Sequence, residues 1–106
     1  MFAVIYRSYI KPELEEEYLK LWKQVAGYFI QHRGAIGSCL HKTEDGLWLA
    51  YSRWPDKATR DASWSNDESI NDLPSFINEA ITKMKNCGDP DRKLPEICME
   101  VIEDFL

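Results

Sequence analysis

The chain is poor in the residues that usually announce a chemistry. It has two histidines, His32 and His41, and three cysteines, Cys39, Cys87 and Cys98, which are far apart and form no C-x-x-C pair. An odd, scattered set of thiols suggests neither a disulfide framework nor a zinc site, so the cysteines are expected as buried free thiols and no metal is expected. No cluster of Lys and Arg is present, and 13 basic against 18 acidic residues leave a net charge of −5. That balance argues against a nucleic-acid partner, which calls for a basic face that displaces counterions. The N-terminal MFAVIYRSYIK lacks a positive leader and a small-residue cleavage site, and its apolar run is too short to cross a bilayer. A cytoplasmic protein with no membrane partner is the expectation.

A linker is also missing. The 106 residues, 44% hydrophobic and 29% charged, have the composition of a globular chain. They are expected to form a single domain, 1–106, burying roughly 60–70% of the surface the unfolded chain exposes.

What is present begins with an apolar strand. Phe2 to Ile10 is apolar or aromatic on both parities, a pattern that asks for cover on both faces. Pro12 ends the strand and suits the first turn of a helix, and Glu13, Glu15, Glu16 and Glu17 fall where the helix dipole favours negative charge. Leu14, Tyr18, Leu21, Trp22, Val25, Ala26 and Phe29 then recur at spacings of three and four, an amphipathic stripe that must lie on a sheet. His32 and Arg33 suit the helix end, and Gly34 suits a left-handed cap.

Residues 36–54 read as a hairpin. Ser38 to His41 forms a short β-compatible run, Glu44-Asp45-Gly46 supplies the turn, and Leu47 to Trp54 resumes the strand. Pro55-Asp56 opens a short helical turn with Ala58 and Ala62 on its apolar side. After the polar run from Ser65 to Asp72, Leu73 to Cys87 predicts a second amphipathic helix ending at Gly88. A last strand is predicted over Ile97 to Phe105. The order is the ferredoxin-like split β-α-β-β-α-β, an α+β fold with a four-stranded antiparallel sheet and helices on one face. One sheet face is left bare although its strands are apolar on both parities, which predicts a homodimer through that open face.

Three stretches carry a family resemblance: Y-I-K-P closing the first strand before an acidic helix, G-x-x-G-S-C-L-H from Gly34 to His41, and W-L-A-Y-S-R-W-P from Trp48 to Pro55. Together they are similar to the antibiotic biosynthesis monooxygenase domain family. The resemblance spans most of residues 1–64 and, more loosely, the last strand. It implies a dimeric α+β barrel in which two sheets pack face to face. It also implies a cofactor-independent monooxygenase acting on a small aromatic or quinol substrate in a cavity between helices and sheet. In such enzymes the substrate supplies the reducing electrons, so no cofactor is implied. The alternative is a non-catalytic small-ligand-binding or interaction module on the same barrel. Haem-degrading members of the family are similar in using a first-strand Asn, a Trp and a following axial His. Here those positions fall at Tyr6, Trp64 and near Pro74, and no His follows His41.

Candidate site residues follow from side-chain chemistry. His41 carries the side chain suited to taking a phenol or quinol proton near neutral pH, although a hairpin His also serves as a surface or cross-strand residue. Tyr6 is the second catalytic candidate, as a hydrogen-bond donor to a ligand oxygen. Trp48 and Trp54 share one strand face with Ala50 and Ser52 and can flank a slot for a planar ligand, or equally form core or interface. Tyr51 and Trp64 complete the substrate-binding candidates. Arg7 and Arg53 interrupt apolar strands and are expected to pair with Glu100 or Glu103.

Overall fold

In the computed structural model, which describes residues 1–63 and 72–105, the strands are β1 (Phe2–Tyr9), β2 (Gly37–Lys42), β3 (Leu47–Trp54) and β4 (Ile97–Glu100). The helices are α1 (Glu15–His32), α2 (Lys57–Ser63) and α3 (Ser75–Cys87), and a 3-10 turn at Pro12–Leu14 leads into α1. The four strands form one antiparallel sheet in the order β2-β3-β1-β4, as the split β-α-β-β-α-β pattern requires.

Register assigns the faces. Val4 pairs with Ser52, Tyr6 with Ala50, Ser38 with Ser52 and Leu40 with Ala50. Side chains alternate along a strand, so these residues share one face with Phe2, Trp48 and Trp54. Phe2, Val4 and Trp54 pack there with Val25 and Phe29 of α1 and Ile77 and Ala80 of α3, and Val4 and Ile77 are fully buried. A second cluster, Ile10, Tyr18 and Cys87, packs with Leu40 and Trp48 beyond it. The other face carries Ile5, Arg7, Leu49, Tyr51, Ile97 and Met99, together with buried Ala3 and with Arg53, which is paired to Asp104.

Two glycines do conformational work. Gly34 has φ +81° just past α1, where Arg33 and Ala35 both donate N–H to the Phe29 carbonyl. Gly46 has φ +91° in the β2–β3 turn.

Several expectations need correction. β4 stops at Glu100 and not at Phe105, because Glu100 pairs with Phe2, the first residue of β1, and the partner strand ends there. α3 starts at Ser75 rather than Leu73, since Pro74 supplies the carbonyl that accepts from Ile77 and Asn78. Gly88 is extended, at φ −75°, and its backbone bridges Ile10 instead of forming a left-handed cap. Arg7 donates to the Pro95 carbonyl at 2.9 Å, and Arg53 pairs with Asp104, so neither uses Glu100 or Glu103. Only Cys87 is buried; Cys39 and Cys98 are exposed.

Candidate functional site

A cavity of about 200 Å³ lies where α1 and α3 cross the helix-facing side of the sheet. Its wall is mostly apolar: Trp22, Val25, Phe29 and Ile30 come from α1, Ile81 and Met84 from α3, and Ala50 and Trp54 from β3. The helical stripe read from sequence thus serves two purposes, closing the core and walling a void.

Polar groups enter from the sheet. The Ser38 and Ser52 hydroxyls lie 2.9 Å apart across the β2–β3 pair, and the Ser38 hydroxyl also reaches the Tyr51 carbonyl at 3.3 Å. If Ser38 gives its proton to that carbonyl, Ser52 donates to Ser38. If Ser38 donates to Ser52, the Ser52 proton is released. The pair can therefore offer a ligand either an acceptor or a donor. Trp54 is 3% exposed, and its indole N–H is buried without an acceptor among the described residues. A buried donor left unmade costs about 1–3 kcal/mol, so a ligand oxygen that accepted it would be favoured.

The ionisable groups in the wall are Tyr6, Tyr18 and Lys85. Burial raises the pKa of Tyr6, against a smaller opposing hydrogen bond from Arg60. Burial pushes Tyr18 up to about 12, with a lesser contribution from Cys87. Both phenols therefore stay protonated near neutrality and act as donors rather than bases.

Tyr6 is tethered from outside the cavity. Arg60 on α2 is 8% exposed, and its guanidinium donates to Glu96 at 2.6 Å and to the Tyr6 hydroxyl at 3.4 Å. Burial works against the charge of Arg60, but its bonds to Tyr6 and Glu96 outweigh that and hold it firmly protonated.

The sequence candidates do not all converge. Tyr6 and Trp54 line the cavity. Trp48 stands beside it, with its ring 5.6 Å from that of Tyr18 and Lys42 Nζ 5.5 Å from its own centroid. His41 pairs with Leu49, and Tyr51 with Cys39, so both belong to the opposite face, away from this cavity. Trp64 lies outside the described residues. Ser38, Ser52, Tyr18 and Arg60 were not candidates. The serine pair was within reach of sequence reasoning, because counting seven residues either way from Asp45 in the turn brings Ser38 opposite Ser52. Arg60 gave no signal, since the apolar side of its helix was read from Ala58 and Ala62.

A family model described as antibiotic biosynthesis monooxygenase matches residues 1–70. The chain belongs to that family. Among solved structures, SnoaB, a cofactor-independent oxygenase from Streptomyces nogalater, superposes with a TM-score of 0.72 at 10% identity, over 98% of this chain and 95% of that one. A crystal structure of an antibiotic biosynthesis monooxygenase gives 0.71 at 18% identity, over 97% and 100%. Rv0793 from Mycobacterium tuberculosis gives 0.72 at 12% identity, over 99% and 98%. At these identities the likeness concerns the fold. No curated protein matches the chain. The family match spans β1 through α2, while the cavity wall formed by Ile81, Met84 and Lys85 lies beyond it.

Proposed function

We propose that this member of the antibiotic biosynthesis monooxygenase family is a small cofactor-independent monooxygenase acting on a small phenol or quinol held between α1, α3 and the sheet. The carrying observation is the Ser38–Ser52 hydroxyl pair in a mostly apolar cavity that is also lined by Trp54, whose buried indole N–H has no partner among the described residues. Such donors stabilise a phenolate oxygen as it forms, in a site where little water screens them. Drug-sized ligands occupy roughly 300–1,000 Å³, so a void of about 200 Å³ suits one or two rings rather than a polycycle. For a phenol with a free para carbon, one atom of dioxygen becomes the new quinone oxygen. The other leaves as water with the phenolic and para hydrogens, and the substrate supplies all the electrons.

The same reading makes the protein a homodimer through the face that bears Ile5, Leu49, Tyr51 and Ile97, and gives His41 and Tyr51 a place at that interface. A second reading, a ligand-binding module without turnover, is favoured by the cavity's ionisable side chains, because Tyr6 and Tyr18 are held protonated and offer no base. Oxygen uptake with 1-naphthol separates the two. An enzyme consumes dioxygen and releases 1,4-naphthoquinone. Saturable quenching of tryptophan fluorescence with no oxygen uptake would establish the binding module instead.

A further inference from the structure

A second and larger cleft, about 520 Å³, opens at the far end of β1, between the end of α3 and the loop that leads into β4. Its walls carry Arg7, Lys11, Lys85, Arg92 and Lys93 against a single carboxylate, that of Asp89. In a chain of net charge −5, this is a local reversal of sign. The ion pairs among the described residues use Arg33, Lys42, Arg53, Lys57 and Arg60, so none of the five cleft cations is in a close ion pair there, and Arg92 lies near enough to a carboxylate, that of Asp45, to help keep it charged. Five clustered cations with so few counter-charges repel one another, and a bound anion relieves that repulsion.

The cleft is also built rather than merely charged. The Arg92 guanidinium stacks 3.3 Å from the centroid of the Tyr9 ring, which fixes the plane of its N–H groups. Arg7 is anchored by its bond to the Pro95 carbonyl, and its Nε–H is buried without a partner among the described residues. Carbonyls at the end of α3 that would oppose an anion are already engaged, since Lys85 O accepts from Gly88 N at 3.3 Å and Cys87 O from Lys11 N at 2.9 Å. The one carboxylate is turned to its own loop, where Asp89 Oδ1 accepts from Asp91 N at 2.9 Å.

We propose that this cleft binds a small anionic molecule, through a phosphate or carboxylate group held by Arg7 and Arg92 with Lys11, Lys85 and Lys93 around it. It adjoins the apolar cavity, with which it shares Ser8 and Lys85, but it does not depend on the function proposed for that cavity. Phosphate and carboxylate share the recognition chemistry, because both present paired oxygens to a guanidinium fork.

The test is a titration of the ¹⁵N-labelled protein with inorganic phosphate in one arm and citrate in the other, at constant ionic strength held with chloride. Saturable amide shifts confined to Tyr9, Lys11, Asn86, Gly88 and Arg92 are expected in at least one arm, and the tighter arm names the group. Arg92→Gln, on an exposed side chain whose loss leaves the core intact, weakens the affinity by about tenfold or more, as expected for one charge-assisted contact. Arg7→Gln does the same. Lys20→Gln with Lys23→Gln, on the exposed side of α1, leaves it unchanged. Shifts that stay linear in both arms, or that weaken equally in the α1 control, overturn the proposal.

Discussion

The hydroxyls of Ser38 and Ser52 face each other at 2.9 Å across β2 and β3, on the wall of the apolar cavity. Removing Ser38 leaves the Ser52 hydroxyl short of its partner, removing Ser52 leaves the Ser38 hydroxyl the Tyr51 carbonyl at 3.3 Å, and removing both leaves two methyl groups. Ser38→Ala is therefore expected to cost about 1 kcal/mol of stability and Ser52→Ala less, and the two together less than the sum of the singles. Urea denaturation of the three variants measures this. Both single variants also weaken the binding of 1-naphthol, as read by tryptophan quenching.

Trp54→Phe keeps most of the ring packing against Phe29, whose centroid lies 6.2 Å away, and removes the orphaned donor. The folded state is expected to lose little stability, because a buried unmade hydrogen bond disappears with the indole. Affinity for a phenol falls by about 1–2 kcal/mol, the worth of a desolvated donor. If isothermal titration shows equal affinity for the variant and the parent, Trp54 does not hold the ligand oxygen.

Arg60→Met leaves Glu96 beside α2 without its cation. Glu96 has 37% of its side chain exposed, so water screens part of the loss, and about 1–2 kcal/mol is expected rather than the larger figure for a fully buried pair. Glu96→Gln should cost less in the Arg60→Met background than alone, and a double-mutant cycle in urea reads that coupling.

Tyr18 sets an alkaline limit. Its folded pKa of about 12 lies above the ordinary 10.0, so the folded state holds this proton more tightly than the unfolded chain does. The stabilisation is complete below pH 10 and is lost as pH rises toward 12, since unfolding then releases the proton. Tyr6, also raised by burial, works in the same direction. The denaturation midpoint should fall through that window, and Tyr18→Phe should flatten the fall. A midpoint independent of pH there would contradict the burial of both phenols.

The homodimer can be tested at Leu49, half-buried on the face opposite the helices. Leu49→Glu places a charge in the proposed interface and should convert a dimer to a monomer in sedimentation at micromolar concentration. A parent protein that sediments as a monomer at every concentration removes the dimer from the reading.

Much of the fold was legible because local signals agree. Asp45-Gly46 centres the hairpin, and the three-and-four spacing from Leu14 to Phe29 gives α1 and its buried side. The placement of His41 was also within reach, since the same turn that sets Ser38 against Ser52 sets His41 against Leu49, on the other face from Trp48 and Trp54. The length of β4 was not legible, because it is decided by where β1 begins. Nor was the basic cleft, whose Arg7 and Lys11 stand almost a whole chain away from Lys85, Arg92 and Lys93 and become neighbours only through the pairing of β1 with the segment before β4.

Met84 lines the apolar cavity and packs against both hydrophobic clusters, the one around Val4 and Ile77 and the one around Ile10, Tyr18 and Cys87. Its unbranched thioether can change rotamer more cheaply than any neighbour in that wall. A guest slightly too large is therefore accommodated first by Met84 swinging away, and the displaced volume is passed to the packing beneath Ile10 and Cys87. Those two residues adjoin Lys11 and Gly88 of the basic cleft, which already shares Ser8 and Lys85 with the cavity wall, so the two hollows have packing as well as lining in common.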